Sequence, residues 1–412
     1  MTKKNIIISS AIILAIVISL AWWFTGCGKV VPTDSSTTTA TTTTKTSTTL
    51  TPTSTSTTST VVGSTTTTLA TNTTTSSTTT TTVIAFNSPE TVADSSSTFD
   101  MDLGSAHFFY QFGKDNFHAD NVNGSWDTKL VDTSVIEVGK TNNPGISVAS
   151  SGYPHVSYYD SNTTALKYAY KAAGGWTLKT ISSLDNSGKR SSIAVYDDQN
   201  KHIAYYYISA SNKTYIYHAD YDYANGNWDL RAIDEMVNDV RPIIVLNTNL
   251  SPRVAYCKSN GLQYGKLVNS AWNTYTVSDS AKVVSMDLGS DDTAYIAYLE
   301  TGEHLTLATG SDNSWTIQRL VDGAGHSTFD VSIAVDRNEN NTVHIAYIWA
   351  VEGATNNRNI DYVTNRSGSW KTYRVVSNTF VQEVRIKIDE NHKAHIGYSE
   401  GGNLQLKYVS QQ

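Results

Sequence analysis

The chain has 412 residues, a formal net charge of −7 and charges of both signs interspersed along it. It contains no basic stripe of the kind that binds phosphate backbones, so we expect no nucleic-acid partner. Its two cysteines, Cys27 and Cys257, lie in regions of very different composition, which excludes a disulfide framework.

Residues 1–27 have the pattern of an export signal. Lys3 and Lys4 precede an apolar stretch that is followed by Gly26 and Cys27. This pattern resembles a lipoprotein signal, which implies cleavage before Cys27 and lipidation of that cysteine. An uncleaved signal anchor is the alternative, since the apolar stretch is long enough to span a hydrocarbon core of ~30 Å. Both alternatives predict an extracytoplasmic chain attached through its N-terminus to the cell membrane or outer envelope.

Residues 28–82 form a linker composed almost entirely of threonine and serine. Such a segment has too few apolar side chains to offset the entropy of ordering, so we expect a disordered stalk. About fifty residues of flexible coil have a root-mean-square span of roughly 40 Å.

A tetrapeptide ending in tyrosine returns seven times across residues 83–412, at intervals of 42 to 51 residues. Its copies are His107 to Tyr110, His155 to Tyr158, His202 to Tyr205, Arg253 to Tyr256, Tyr295 to Tyr298, His344 to Tyr347 and His395 to Tyr398. A repeat of this length, rich in β-branched and aromatic residues, is typical of β-propeller blades. The sequence therefore predicts one all-β domain, a seven-bladed β-propeller.

Each repeat contains four short apolar segments separated by turns, without helical periodicity. A tryptophan precedes the fourth segment of six repeats, at Trp126, Trp176, Trp228, Trp272, Trp315 and Trp370. We expect each blade to be a four-stranded antiparallel sheet.

The seventh repeat lacks its fourth segment, because the sequence stops at Gln412. An unpaired third strand would be an association hazard. We expect residues 84–93 to pair with residues 404–409 and close the ring, with Phe86 in place of the missing tryptophan.

Charged residues recur on the predicted innermost strands. Asp100 and Asp102 in the first repeat and Arg385 and Lys387 in the last should form ion pairs if these blades are neighbours. Asp287, at the same height in the fifth repeat, has no such partner and is expected to be a solvated carboxylate in the channel.

The repeated histidines are interpreted as structural, because catalysis would not need five copies and separate blades would keep them apart. Cys257 occupies a small apolar position and is interpreted as core. The polar turns at 197–200, 336–341 and 389–391 lack the oxygen spacing of a calcium loop. We therefore predict no metal and no cofactor.

The consensus Ser-Ile-Ala-Val-Asp, a polar turn, His-Ile-Ala-Tyr, then Gly-x-Trp resembles the repeat of secreted prokaryotic propellers of the sialidase-like superfamily. The resemblance implies the fold and does not imply an activity. The nearest match to the sialidase turn motif, residues 311–315, is too short and lacks its glycine. The ten arginines of the domain occupy unrelated repeat positions, so no catalytic arginine set is expected.

Three functions remain open. The first is a non-catalytic binding module for surface glycans or proteins, acting as a monomer; the alternatives are a glycan hydrolase or lyase and a structural component of the envelope. Binding is expected on the face formed by the loops after the second and fourth strands, where repeats differ most. The ligand-binding candidates are Trp349, Glu352, Arg358, His326, Tyr207, Asp160, Glu300 and Glu400.

Overall fold

The computed structural model describes residues 84–133, 143–182, 187–236, 240–259, 261–354 and 356–412. The predicted signal, including Cys27, and the predicted stalk at 28–82 lie outside these ranges and remain predictions. Within the described ranges, no helix is long and apolar enough to cross a membrane.

The described chain forms seven four-stranded antiparallel sheets, which confirms the predicted seven-bladed propeller. Blade one contains β2 (Thr98–Asp102), β3 (His107–Phe112), β4 (Asp115–Asp120) and β5 (Asp127–Thr133). Blade two contains β6 (Gly145–Val148), β7 (Pro154–Asp160), β8 (Ala165–Ala172) and β9 (Gly175–Ser182). Blade three contains β10 (Ser187–Val195), β11 (Lys201–Ile208), β12 (Thr214–Asp222) and β13 (Asn227–Met236). Blade four contains β14 (Ile243–Leu246), β15 (Pro252–Lys258), β16 (Gly261–Val268) and β17 (Ala271–Ser278).

Blade five contains β18 (Val283–Leu288), β19 (Ala294–Leu299), β20 (Leu305–Ser311) and β21 (Ser314–Val321). Blade six contains β22 (His326–Asp336), β23 (Thr342–Val351), β24 (Arg358–Thr364) and β25 (Lys371–Thr379). Blade seven contains β26 (Val381–Ile388), β27 (Ala394–Glu400) and β28 (Gln405–Ser410), and its outer strand is β1 (Glu90–Ala93) from the start of the domain.

The core lies between the blades. The repeated tetrapeptide is the second strand of each blade, and its alternating side chains are buried on both sides. Its third residue is small in most repeats, and Gly397 shows the reason, because a Cβ there would lie 2.5 Å from the Phe108 ring of blade one. Small residues at this position allow neighbouring blades to pack closely.

The ring closes through β1, as predicted. Glu90 lies opposite Tyr408 and Thr91 opposite Lys407 in an antiparallel pair. The pairing continues upstream, where the amide of Asn87 donates to the carbonyl of Ser410 and Phe86 bridges to Gln411. The two ends of the domain therefore complete one sheet, and no blade edge is left for association at β28.

Aromatic contacts join successive blades. Five of the repeated tryptophans pack edge-on, at 5.2 to 5.3 Å between ring centroids, against a third-strand ring of the preceding blade. These pairs are Tyr408 with Trp126, His118 with Trp176, Tyr168 with Trp228, His218 with Trp272 and Tyr264 with Trp315. In blade seven, Phe86 makes the equivalent edge contact with Tyr362 of blade six, at 5.5 Å. Phe86 therefore takes the place of the seventh tryptophan.

The repeated histidines hold these third-strand rings. His155 Nδ1 lies 2.6 Å from the Tyr168 hydroxyl, and His344 Nδ1 lies 2.6 Å from that of Tyr362. His395 makes the same contact with Tyr408. Because His155 and His344 are buried, His395 is half-buried and all three are bonded within their own blades, the geometry agrees with a structural role.

We predict that deleting residues 84–94 destabilises the entire domain. The deletion removes β1, its buried Val92 side chain and the Phe86 contact, and it exposes the edge of β28. A loss of about 5 kcal/mol would lower Tm by roughly 10 °C in a domain of this size. Thermal unfolding followed by circular dichroism measures the effect. Deletion of 33–80 is the control and should leave Tm unchanged; equal Tm values for both deletions would contradict closure by β1.

We predict that the free energy of unfolding falls between pH about 6.5 and about 4. Burial, with a smaller contribution from Lys201, lowers the pKa of His155 from 6.5 to about 4. The unfolded chain therefore binds the proton first, and the contribution of His155 is complete above pH 6.5 and is lost as the pH falls toward 4. The slope for one such histidine is at most about 1.4 kcal/mol per pH unit.

The variant His155→Gln removes this titration and keeps a polar partner for Tyr168. Urea unfolding at several pH values should show a shallower pH dependence for the variant than for the native chain. Identical slopes would show that His155 does not contribute.

Candidate functional site: the central cavity

The first strand of each blade lines the central channel, and its inner edge has no strand partner. Polar side chains of one blade accept hydrogen bonds from amides of the next. Ser285 Oγ accepts from the amide of Ile333 and Ser332 Oγ from that of Ile386, both at 3.1 Å. The same hydrogen bond, from a backbone amide to a side-chain oxygen of the preceding blade, joins six further pairs. The amides of Ile146, Val148, Val195, Ile244, Val384 and Phe99 donate to Asp100, Asp102, Ser147, Ser192, Asp330 and Glu383, respectively. These side chains satisfy backbone donors that would otherwise cost free energy in the channel.

Asp287 follows this rule, and the expectation of an unpartnered, solvated carboxylate was wrong. Its Oδ2 accepts from the amide of Val335 at 2.9 Å, and its Oδ1 lies 3.4 Å from the Arg337 guanidinium. The partner is mainly a backbone amide of the next blade, which a comparison of charged side chains alone does not find.

The two predicted ion pairs between blades seven and one are present. Arg385 Nε lies 3.2 Å from Asp100 Oδ1, and Lys387 Nζ lies 3.2 Å from Asp102 Oδ1. Arg385 also donates to Asp330 of blade six at 2.9 Å. Blades six, seven and one are therefore connected through one guanidinium.

Arg241 extends this network across the channel. It precedes the first strand of blade four, donates from Nε to the carbonyl of Ser191 in blade three and binds Asp100 of blade one through both terminal nitrogens, at 3.3 and 2.7 Å. Burial alone would raise the pKa of Asp100, but Arg241 and Arg385 outweigh it and the pKa is lowered. Asp100 is therefore ionised and holds two arginines from different blades.

A cavity of about 340 Å³ lies in this part of the channel. One side is a polar arc that runs around blades six, seven, one, two, three and four. Its lining members are Asp330, Glu383, Asp100, Asn143, Arg190 and Arg241, and Thr98 of blade one is hydrogen-bonded to Glu383 and Asn143. On the other side, Ile243, Val245 and Val283 of blades four and five, all half-buried, form an apolar wall, and Lys282 lies next to it in the lining. The cavity is therefore amphipathic.

Hydrogen bonds order the polar arc. Glu383 accepts from the Thr98 hydroxyl at 2.8 Å and from Asn143 Nδ2 at 3.0 Å, and Arg190 donates to Asn143 Oδ1 at 3.1 Å. Burial raises the pKa of Glu383, despite the opposing effect of Arg385. The arc is therefore fixed before any ligand arrives.

Arg190, Arg241 and Arg385 line one cavity, although Arg385 occupies a different repeat position from the other two. Arg190 stands three residues before Ile193, and Arg241 stands three residues before Ile244. These two isoleucines are equivalent first-strand positions, opposite Ile203 and Val254 of the second strands. This shared offset was the available signal. The comparison of first-strand positions covered charged residues of the first, fifth and last repeats and did not include Arg190 or Arg241.

The cavity lies toward the predicted binding face. Each first strand begins at the face formed by the loops after the second and fourth strands, here called the upper face. Asn143, Arg190 and Glu383 stand near the beginnings of first strands. Strand β1 occupies a fourth-strand position and begins at the opposite, lower face, where the amide of Gln412 donates to the carbonyl of Ala85.

Among the predicted site residues, Trp349 and His326 lie together at the upper end of blade six. Their ring centroids are 4.3 Å apart, the indole of Trp349 donates to Asp361 at 2.8 Å, and the Arg374 guanidinium lies 5.1 Å from its ring. Trp349 is half-buried, so part of its ring is already in contact with protein.

Arg358 and Glu352 belong to the same loop region. Arg358 lies 3.8 Å from the centre of the Phe329 ring and donates to the carbonyl of Val381 at 2.7 Å, which connects blades six and seven. Glu352 is exposed, and its amide donates to the carbonyl of Gly325.

The other four predicted residues lie on separate blades, and the structure does not bring them into one group. Asp160 is buried and binds Lys167 at 2.8 Å. Glu300 accepts from Thr306 at 2.6 Å. Tyr207 packs against Tyr215 and Tyr217, and Glu400 ends β27. A ligand role for these residues remains a prediction.

Two groups of side chains combine paired histidines with an aspartate. They are His107, His118 and Asp120 in blade one and His202, His218 and Asp220 in blade three. The paired ring nitrogens are 3.0 and 3.1 Å apart, which is hydrogen-bond distance, so each of these nitrogens already has a partner in the other ring. These pairs are best described as the same contact between the second and third strands of one blade that histidine and tyrosine form elsewhere.

Comparison with known proteins gives structural neighbours only. No protein-family model matches the chain, and the search of curated proteins gave no match. A mutant Aleuria aurantia lectin in complex with Fucα1-6GlcNAc is 13% identical over 66% of this chain and 91% of the lectin, with a TM-score of 0.45. A Penicillium chrysogenum α-L-arabinanase complexed with arabinobiose is 12% identical over 67% and 94%, with a TM-score of 0.45. A polysaccharide lyase is 10% identical over 78% and 90%, with a TM-score of 0.46. Likeness at this level does not decide a ligand or an activity.

We predict that Asp100→Asn lowers the free energy of unfolding by about 3–5 kcal/mol, because it leaves Arg241 and Arg385 buried without their shared carboxylate. Asp102→Asn is the matched control. Its partner Lys387 has a side chain that is 41% exposed, so the cost should be only about 0–1 kcal/mol. Urea unfolding measures both, and equal costs would contradict a central role for Asp100.

Proposed function

We propose that the chain is an extracytoplasmic, membrane-tethered propeller that binds a surface glycan without catalysis. The ligand site is the central cavity, approached from the upper face. The observation that carries the proposal is the combination of the polar arc and the apolar wall in one cavity of about 340 Å³.

The chemistry of a sugar fits this combination. A pyranose ring has a rim of hydroxyl groups, which donate and accept hydrogen bonds, and faces of C–H groups, which are apolar. The arc supplies acceptors at Asp330 and Glu383 and donors at Arg190 and Arg241, while Ile243 and Val283 supply an apolar contact. A few placed polar groups in an otherwise apolar pocket are typical of small-ligand sites.

The position of the cavity supports a tethered module. The described chain enters the domain at the lower face, and the cavity lies toward the upper face. A tether that precedes residue 84 would then leave the cavity mouth accessible to a ligand. The attachment itself depends on residues 1–27 and is part of the proposal.

A glycan-cleaving activity is the second candidate. Glu383 favours it, because a buried carboxyl group whose pKa is raised in a cavity is a candidate proton donor. Against this, Glu383 already accepts from Thr98, Asn143 and the amide of Phe99, which is the environment of a structural carboxylate.

We predict that the purified full chain binds specific members of a glycan array and that Ile243→Trp lowers the affinity at least about tenfold, because the larger side chain fills the cavity. Ile317→Trp is the matched control, since Ile317 is 47% exposed on an outer strand. If Trp349→Ala abolishes glycan binding and Ile243→Trp retains it, the ligand site lies at the upper end of blade six and the central cavity is not the site.

The same glycans are tested for release of reducing ends. No release is expected for a binding module. Release that disappears in Glu383→Gln, in a variant with unchanged Tm, would favour the second candidate.

A further inference from the structure

Blade six carries a group of two buried polar side chains and one half-buried carboxylate at the lower face, away from the central cavity. Asp336 ends β22, Glu339 lies in the turn that follows, and His344 lies in β23. One ligand atom from each of these three residues lies within 4.8 Å of those of the other two.

Two atoms of this group are buried without a hydrogen bond. His344 is fully buried, its Nδ1 is engaged by the Tyr362 hydroxyl, and its Nε2 has no hydrogen-bond partner. Arg366 Nε lies 3.1 Å from both carboxylate oxygens of Glu339 but bonds only Oε1, so Oε2 is also without a hydrogen bond. A buried polar atom without a partner is rare and points to an ion or a water; His344 Nε2 is such an atom, whereas Glu339 Oε2 keeps its ion-pair contact with Arg366.

Blade seven offers an internal comparison. Asp389 and His395 occupy the positions of Asp336 and His344, and there the aspartate lies 3.2 Å from His395 Nε2. In blade six, Asp336 turns instead to His392 of blade seven, whose Nδ1 is 2.6 Å from Asp336 Oδ2. The aspartate of blade six therefore contacts a histidine of the next blade instead of its own, and His344 Nε2 has no hydrogen-bond partner.

We propose that Asp336, Glu339 and His344 bind a zinc ion, with His392 as the fourth ligand. Two imidazole nitrogens and two carboxylates are a donor set that zinc accepts. Ligand atoms of tetrahedral zinc lie about 3.4 Å apart. The three blade-six atoms lie within 4.8 Å of one another and Asp336 Oδ2 lies 2.6 Å from His392 Nδ1, so zinc would draw the first three together and replace the Asp336–His392 hydrogen bond. Asp336 Oδ1 accepts from the amides of Asn338 and Glu339, which orients the carboxylate and holds the turn in place.

The ion would connect the sixth blade to the seventh. Three ligands come from blade six and His392 comes from blade seven, which is the blade completed by β1. A ligand that binds only the folded state stabilises that state, so zinc should strengthen the ring next to its closure. The proposed site is structural and does not depend on the proposed glycan binding.

The test uses the full chain, freed of metal by dialysis against a chelator and titrated with zinc chloride alone. We expect one zinc per chain by metal analysis and a higher Tm with zinc than without. Glu339→Gln should weaken zinc binding by at least roughly tenfold and remove the Tm rise, because a neutral amide replaces one carboxylate ligand.

Glu390→Gln is the matched control, since Glu390 is exposed in the corresponding turn of blade seven and the variant loses the same charge. It should bind zinc like the native chain. His392→Gln gives an independent measurement of the fourth ligand and should also weaken binding. The proposal is overturned if the native chain takes up no zinc, which would assign the unpartnered His344 Nε2 to water, or if Glu339→Gln binds as the native chain does.

Discussion

Each propeller blade is a sheet with an inner and an outer edge strand. The structure depends on giving the backbone N–H and C=O groups at both edges a hydrogen-bond partner. The outer edge of blade seven is the difficult case, because the chain supplies only three strands there, and β1 solves it by pairing with β28. The inner edges cannot pair with strands at all, since they face a channel. At the junctions other than that between blades four and five, serine, aspartate or glutamate side chains of the preceding blade accept from these amides instead. The first role of the polar residues in the channel is therefore to accept hydrogen bonds from backbone amides that have no strand partner.

This constraint explains why the fold could be predicted from the sequence. The tetrapeptide, the tryptophan and the serine of the first strand recur because each makes one contact that every blade needs. The Asp100 to Arg385 and Asp102 to Lys387 pairs were predictable for the same reason, since equal heights in adjacent blades place side chains together. Phe86 was recognisable as a substitute for tryptophan because its position in the repeat was already defined.

The candidate site was less predictable, for a physical reason. Repeat alignment compares one blade with the next, whereas the channel brings together blades that are distant along the chain. Arg241 of blade four reaches Asp100 of blade one, and no pairwise comparison of neighbouring repeats contains that contact. Asp287 was misjudged because its main partner is a backbone amide, which has no sequence signature. The loop residues were chosen for their variation, and variation alone does not indicate which of them share a pocket.

The bonding of the channel also limits what its cavity can recognise. Both oxygens of Asp100 are occupied, by Arg241, Arg385 and the amide of Ile146. Glu383 is bonded by groups from blades one and two. A ligand that enters therefore meets an ordered array of dipoles and paired charges whose net attraction for a single ion is small. Hydroxyl groups suit such an array better than an isolated charge, because they donate and accept at once and do not require an ion pair to be broken. The apolar wall of Ile243, Val245 and Val283 then favours a ligand with one C–H face, and these two requirements together describe a sugar ring.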